Sequence, residues 1–134
     1  MIVSGCDKGF LVNLDKNHPT AIVAEQEAIQ GQRLLVIPTV VLAEFARIAY
    51  RYGKGKQAEQ FAMRLTLVPW VRIVLIDTNI ALRSARLAHG LGLPILDALI
   101  LAACLESGCD EFWTTDRQHF AVAEQQGIVK VVWL

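Results

Sequence analysis

The chain has 134 residues, enough for one domain with a substantial core, and its 13 basic side chains balance 13 acidic ones. Zero net charge excludes a general polyelectrolyte attraction to nucleic acid and leaves only local basic patches for that role. Hydrophobic residues make up 54% of the chain and mean hydropathy is +0.39, yet the most apolar stretch, 91–105, holds Pro94 and Asp97 and falls short of the ~20 clean residues of a membrane span.

Residues 1–6 read as a short strand, with a short helix over 9–14. A helix is predicted over 19–30, with Ala21, Ile22, Ala24, Ala28 and Ile29 on its apolar side and Gly31 as its stop. The run 34–37 is continuously apolar, as in a strand covered on both faces. Thr39 is expected to cap a helix reaching about 52, and Gly53 and Gly55 mark a turn before a helix over 57–67. Residues 72–76 read as the third strand. Asp77 or Thr78 then caps a helix to about 89, which Gly90, Gly92 and Pro94 end. Ile95–Glu106 is a strongly apolar helix that stops at Gly108. Glu111–Thr114 and 128–133 are the last strands, with a short helical piece between them. Alternating strands and helices predict an α/β fold: three layers, α/β/α, with a central parallel sheet of about five strands, in a single domain over 1–134.

The cysteines, Cys6, Cys104 and Cys109, all have apolar neighbours. Their odd number, with no secretory pattern at the N-terminus, predicts reduced, buried thiols in a cytoplasmic protein. Cys104, Cys109 and His119 can be drawn as zinc ligands, but their spacing matches no common site. The apolar surplus is expected to be covered in part by another chain, as in a homo-oligomer or an obligate complex.

Four carboxylates stand in or beside apolar segments, where a charge is costly unless paired, protonated or bound to a cation. Asp7 follows the first strand, near the crevice where open parallel sheets bind ligands; it is equally suited to cap a helix. Glu44 shares a helical face with Val41, Phe45 and Ile48, where it needs either a site or a partner such as Arg47. Asp97 is the only charge in the run 93–101, and a cap after Pro94 is its alternative role. Asp116 ends Trp113-Thr114-Thr115-Asp116, where a turn or cap is also natural. Four such placements together point to a pocket for divalent metal ions.

These pieces carry a resemblance. Cys6-Asp7-Lys8-Gly9-Phe10-Leu11, Val41-Leu42-Ala43-Glu44-Phe45, Leu96-Asp97-Ala98-Leu99-Ile100-Leu101-Ala102-Ala103 and Thr114-Thr115-Asp116-Arg117-Gln118-His119-Phe120 follow one another in an order that resembles the PIN domain family. The similarity is closest to the VapC-type toxin ribonucleases and covers essentially the whole chain. It implies a nuclease that hydrolyses RNA with Mg2+ or Mn2+ and leaves a 5′-phosphate and a 3′-hydroxyl. Asp7, Glu44, Asp97 and Asp116 would be the metal-binding acids, the first three on one ion, with Thr114 supporting them. A cognate antitoxin protein and a homodimer are implied as partners. Lys8 departs from the pattern, since threonine or serine is common there; it could pair with Asp7, contact a phosphate or weaken metal binding. Asp77-Thr78-Asn79 looks like the family's opening motif but stands at the wrong place in the chain, so Asp77 is read as a helix cap.

Substrate contacts are expected from basic residues near the acids. Glu44, Arg47 and Arg51 form one helical stripe, which Lys54 and Lys56 extend; Lys8, Arg117 and His119 are further candidates. A solvated charged face, or neutralisation by a partner, explains the stripe slightly better. His18 and His89 read as surface residues, and Gly53-Lys54-Gly55-Lys56 lacks the context of a phosphate-binding loop. Two other functions fit the same architecture: a PIN-like scaffold module without catalysis, and a signalling receiver domain with Asp77 as its phosphorylated acid.

Overall fold

Apolar runs that pair side by side build one parallel sheet from β1 (Ile2–Cys6), β2 (Arg33–Pro38), β3 (Val71–Val74), β4 (Glu111–Thr114) and β5 (Lys130–Trp133). The structure is a computed structural model that describes residues 1–134. Its strand order is β3-β2-β1-β4-β5. Leu35, Val36 and Ile37 are fully buried, as a strand covered on both faces requires. Seven helices connect the strands: α1 (Lys8–Asp15), α2 (Pro19–Ile29), α3 (Thr39–Arg51), α4 (Gly55–Leu65), α5 (Thr78–Leu91), α6 (Ile95–Glu106) and α7 (Arg117–Gln125).

The chain steps outward from β1 to β3, then returns across the sheet to β4 and β5. Right-handed crossovers put helices on one face during the first leg and on the other during the second, which gives the three layers. The order reverses between β1 and β4, and a crevice opens there at the carboxyl ends of the strands. A receiver-type sheet runs 2-1-3-4-5, so this order does not fit that alternative. No single helix is long and apolar enough to cross a membrane.

The core explains the hydropathy. α6 buries Ala98, Ile100, Leu101, Ala102, Ala103 and Cys104 and packs on β1, β2, α3 and α5. Phe10 meets Trp113 edge-on with centroids 5.6 Å apart, and Phe112 meets Phe120 at 4.8 Å, which anchors α1 and α7 to β4. At the start of β2, Arg33 donates to Glu111 Oε1 (2.5 Å), Ser4 Oγ (2.6 Å) and Glu27 Oε2 (2.7 Å). That buried network ties β1, β2 and β4 together away from the strands' carboxyl ends.

Several boundaries differ from expectation. Thr39 does not cap α3; Pro38, extended at φ −63° and ψ 143°, holds the cap position without a side-chain bond and makes Thr39 the first helical residue. α4 begins at Gly55, where a Cβ would strike the Tyr50 ring, so the expected turn glycine is the first helical residue. α5 runs through Gly90 to Leu91; the left-handed Gly92 (φ 69°) is the stop, because a solvent-facing glycine costs a helix only about 1 kcal/mol. β3 ends at Val74 and β5 begins at Lys130, the limits of their ladders on β2 and β4. On α2 only Ala21, Ala24 and Ala28 are buried, and Ile29 is exposed at the helix end.

Candidate metal centre

The crevice between β1 and β4 gathers the four acids. Asp7 stands one residue beyond β1, its N–H bonded to Trp113 O of the neighbouring strand (3.0 Å). It is 1% exposed and caps α1, with Oδ1 accepting from Lys8 N at 2.7 Å. Its other oxygen, Oδ2, accepts from the Thr114 hydroxyl at 2.8 Å. Thr114, the last residue of β4, uses the same Oγ1 to accept the Asp116 N–H at 3.0 Å. One buried hydroxyl thus ties the segments after β1 and β4 together.

Asp116 caps α7 through Oδ1, which accepts from His119 N at 3.1 Å. His119 turns back so that Nδ1 lies 2.7 Å from Asp116 Oδ2 and 3.2 Å from Asp97 Oδ2. Asp97 sits in the first turn of α6 and is 7% exposed. It is not the cap of that helix, a position taken by Pro94. Glu44, on α3, lies with Oε2 3.6 Å from Lys8 Nζ, so its partner is Lys8 and not Arg47. Its other oxygen, Oε1, is buried and has no hydrogen-bond partner.

Electrostatics follow from this crowding. Burial pushes the Asp7 carboxyl above its usual value, against the Thr114 hydrogen bond that pulls it down. Burial also raises Glu44, partly offset by Lys8, and raises Asp97, partly offset by His119. The bond to Asp116 holds His119 above its usual value. For Lys8, burial acts downward, but the surrounding carboxylates outweigh it and hold the ammonium above its ordinary value.

Ligand atoms of Asp97, Asp116 and His119 all lie within 4.8 Å of one another; Asp7 and Glu44 stand outside that close set. The sequence offers His119 as a substrate contact or as a zinc ligand with Cys104 and Cys109, not as a partner of the acids; its place beside Asp116 is readable from the i, i+3 spacing after a capping aspartate, but Asp97 comes from another helix. The donors fit a divalent ion. Carboxylate oxygens suit hard cations such as Mg2+ and Mn2+, the buried Oε1 of Glu44 lacks a protein partner, and burial raises the carboxyls of Asp7, Glu44 and Asp97 despite Lys8 and His119, a cost that added positive charge would relieve. The zinc set drawn from Cys104, Cys109 and His119 does not assemble: the two thiols flank Gly5, and His119 belongs to the acids. Cys6 and Cys104 are buried and Cys109 half-buried, all as free thiols.

Arg47 and Arg51 are exposed on α3, and Lys54 and Lys56 are exposed beyond it. Arg117 stacks its guanidinium 4.7 Å over the Trp133 ring on β5. Asp77 is an exposed cap of α5, accepting from Ile80 N at 2.8 Å, and has no part in the cluster. His18 and His89 are exposed, as expected. A separate groove of about 770 Å3 between α1, α3 and α4, with Val12, Phe45 and Ile48 beside Asp15, Lys16 and Lys54, contains none of the four acids of the crevice.

Comparison with known proteins gives the family and the fold. The chain matches the PIN domain family over residues 6–125. No curated protein matches the sequence. Among solved structures it is similar to a chain of a toxin–antitoxin complex from Klebsiella pneumoniae (24% identity, 98% of this chain and 96% of that one, TM-score 0.69). It is also similar to a chain of VapBC2 from Rickettsia felis bound to a promoter DNA fragment (15% identity, 100% and 99%, TM-score 0.73). A third is VapC20 from Mycobacterium tuberculosis, described as a sarcin-ricin loop cleaving toxin (15% identity, 90% and 94%, TM-score 0.67). At these identities the likeness establishes the fold.

Proposed function

The chain belongs to the PIN domain family, and from that premise we propose that it is a metal-dependent endoribonuclease, the toxin of a type II toxin–antitoxin module. The observation that carries this reading is the convergence of Asp7, Glu44, Asp97 and Asp116 on one crevice, with Glu44 Oε1 buried and unpartnered. Support for an RNA substrate and an antitoxin partner comes from the structural relatives, which include toxin–antitoxin complexes and a loop-cleaving toxin.

In this reading the four acids hold Mg2+ or Mn2+, with His119 close enough to add a nitrogen donor. When bound, such an ion supplies charge neutralisation at the scissile phosphate and a lowered water pKa. The chain's own residues do the rest. Thr114 holds the Asp7 carboxylate in one orientation and fixes the Asp116 backbone against it. His119, with Nδ1 2.7 Å from Asp116 Oδ2 and 3.2 Å from Asp97 Oδ2, holds the two carboxylates side by side. Arg47 and Arg51 follow Glu44 on α3 and would carry the RNA backbone away from the crevice, with Lys8 and Arg117 as nearer phosphate contacts. We read residues 1–134 as one such domain, acting in the cytoplasm as a homodimer that the antitoxin covers. The exposed Tyr50, Tyr52, Met63 and Leu67 on and after α3 and α4 are apolar surface that a second chain could cover.

A catalytically inactive scaffold is the second reading, and one observation favours it: the Lys8 ammonium already lies 3.6 Å from Glu44. The two are separated by incubating purified, antitoxin-free protein with labelled RNA in EDTA, Mg2+ and Mn2+. Cleavage that needs an ion establishes the nuclease. No cleavage and no ion binding by calorimetry would leave the scaffold.

A further inference from the structure

Lys8 is the first residue of α1 and follows directly on Asp7. Its Nζ lies 3.6 Å from Glu44 Oε2, and the two side chains are 30% and 18% exposed. The pair joins the start of α1 to the middle of α3 across the mouth of the acid crevice. Arg47, the intrahelical alternative for Glu44, is exposed and leaves it to Lys8. The remaining Glu44 oxygen is buried without a partner. A carboxylate oxygen shut off from water with no partner is costly, so this half-buried side chain depends on the positive charge that stands beside it. Asp97 and Asp116 are held by His119 and Asp7 by Thr114. For Glu44, Lys8 is the one protein cation within ion-pair distance.

We propose that Lys8 is a built-in competitor of the divalent ion: its ammonium occupies Glu44 in the metal-free protein and must release it for the ion to bind. The inference rests on the metal-site reading of the crevice. Lysine then acts in two directions. It keeps the metal-free crevice folded by compensating the acids, and it lowers the crevice's affinity for a cation, because like charges a few ångströms apart repel. The residue that follows the first acid sets the ion concentration at which the site fills. Lys8 is a positioning residue here, acting through Glu44.

The test compares wild type with Lys8→Met, which keeps the length of the side chain without its charge, and Lys8→Arg, which keeps the charge. Mn2+ affinity is measured by calorimetry, and melting temperature with EDTA and with saturating Mn2+. Lys8→Met is expected to bind Mn2+ about tenfold more tightly, to melt lower in EDTA, and to gain more on adding Mn2+; Lys8→Arg should stay near wild type. If Lys8→Met does not fold, Lys8→Gln carries the same expectation. Affinity within twofold of wild type, or weaker, in the neutral variant overturns the proposal. That outcome with metal-dependent cleavage intact removes only the role of Lys8. No Mn2+ binding by any of the proteins removes the metal-site reading, and this inference with it.

Discussion

Thr114 joins two of the acids through a single hydroxyl, giving a hydrogen bond to Asp7 Oδ2 and taking one from Asp116 N. Thr114→Val keeps the volume and removes both. The variant should lose about 1–3 kcal/mol of stability and about 10–100-fold in ion affinity or RNA cleavage; unchanged values of both would show that the hydroxyl does not organise the site. Protonation gives a second prediction at this scale. Burial raises Asp7, Glu44 and Asp97, and the Asp116 bond raises His119. A group raised in the folded state contributes stability that is full below its unfolded value, about 4 for carboxylates and about 6.5 for histidine, and that fades as pH rises through the folded value. The metal-free protein should therefore melt progressively lower as pH rises through the acidic range to above neutral. Mn2+ affinity should rise over the same range, because the ligands shed protons to take the ion. A metal-free melting temperature that climbs through this window contradicts the assignment. Glu44 and Asp97 stand out in the sequence as acids among apolar neighbours, although a cap after Pro94 is open to Asp97 as well; the structure gives that cap to Pro94. Asp7 and Asp116 were ambiguous between cap and site, and the structure makes each of them a cap that also joins the cluster. Glu111 is buried too, but it pairs with Arg33; burial of an acid alone does not separate a site from a structural pair, and sequence does not reveal which partner arrives.

β1 and α6 lie so close that their contact controls where Asp97 stands. A Cβ on Gly5 would come within 2.6 Å of Cys104 Sγ and 2.9 Å of Cys104 Cβ. Gly5→Ala should cost about 1–3 kcal/mol, read from denaturant unfolding, and should weaken ion binding by displacing α6. A variant as stable and as active as wild type would mean that α6 is free to shift without moving the site. Arg33→Met acts at the other end of the strands. It strands Glu111 without a cation and should cost about 3–5 kcal/mol, yet leave Mn2+ affinity near wild type; a large loss of affinity would couple that network to the crevice. The elements themselves were readable where hydrophobic period and length agree, as in α6, β4 and the buried run of β2. Their ends were less so. Pro38 displaced Thr39 from the cap of α3, and Gly90 stayed helical because the true stop needed a left-handed residue, which Gly92 supplies. Those outcomes depend on backbone geometry at single residues that composition does not encode.

The whole molecule is neutral, so any hold on RNA must be local. If Arg47 and Arg51 carry the backbone, each alanine substitution should weaken binding evenly across RNA sequences and lower the salt slope by about one; loss confined to one sequence would instead mark a base contact. The α/β class was legible from the alternation of strands and helices. The order β3-β2-β1-β4-β5 was not, because it depends on which face each crossover packs against, and that order brings the ends of β1 and β4 together. The surfaces that meet other chains were legible only as an apolar excess, since exposed groups such as Tyr52, Leu67 and Leu75 are scattered along the sequence. The central claim is that this crevice cuts RNA. Its most direct test is the rate of RNA cleavage by wild type and by folded Asp97→Asn at saturating Mn2+, with the new ends analysed. Wild type is expected to cleave to 5′-phosphate ends, and Asp97→Asn to abolish cleavage. Equal rates for the two proteins would contradict the claim.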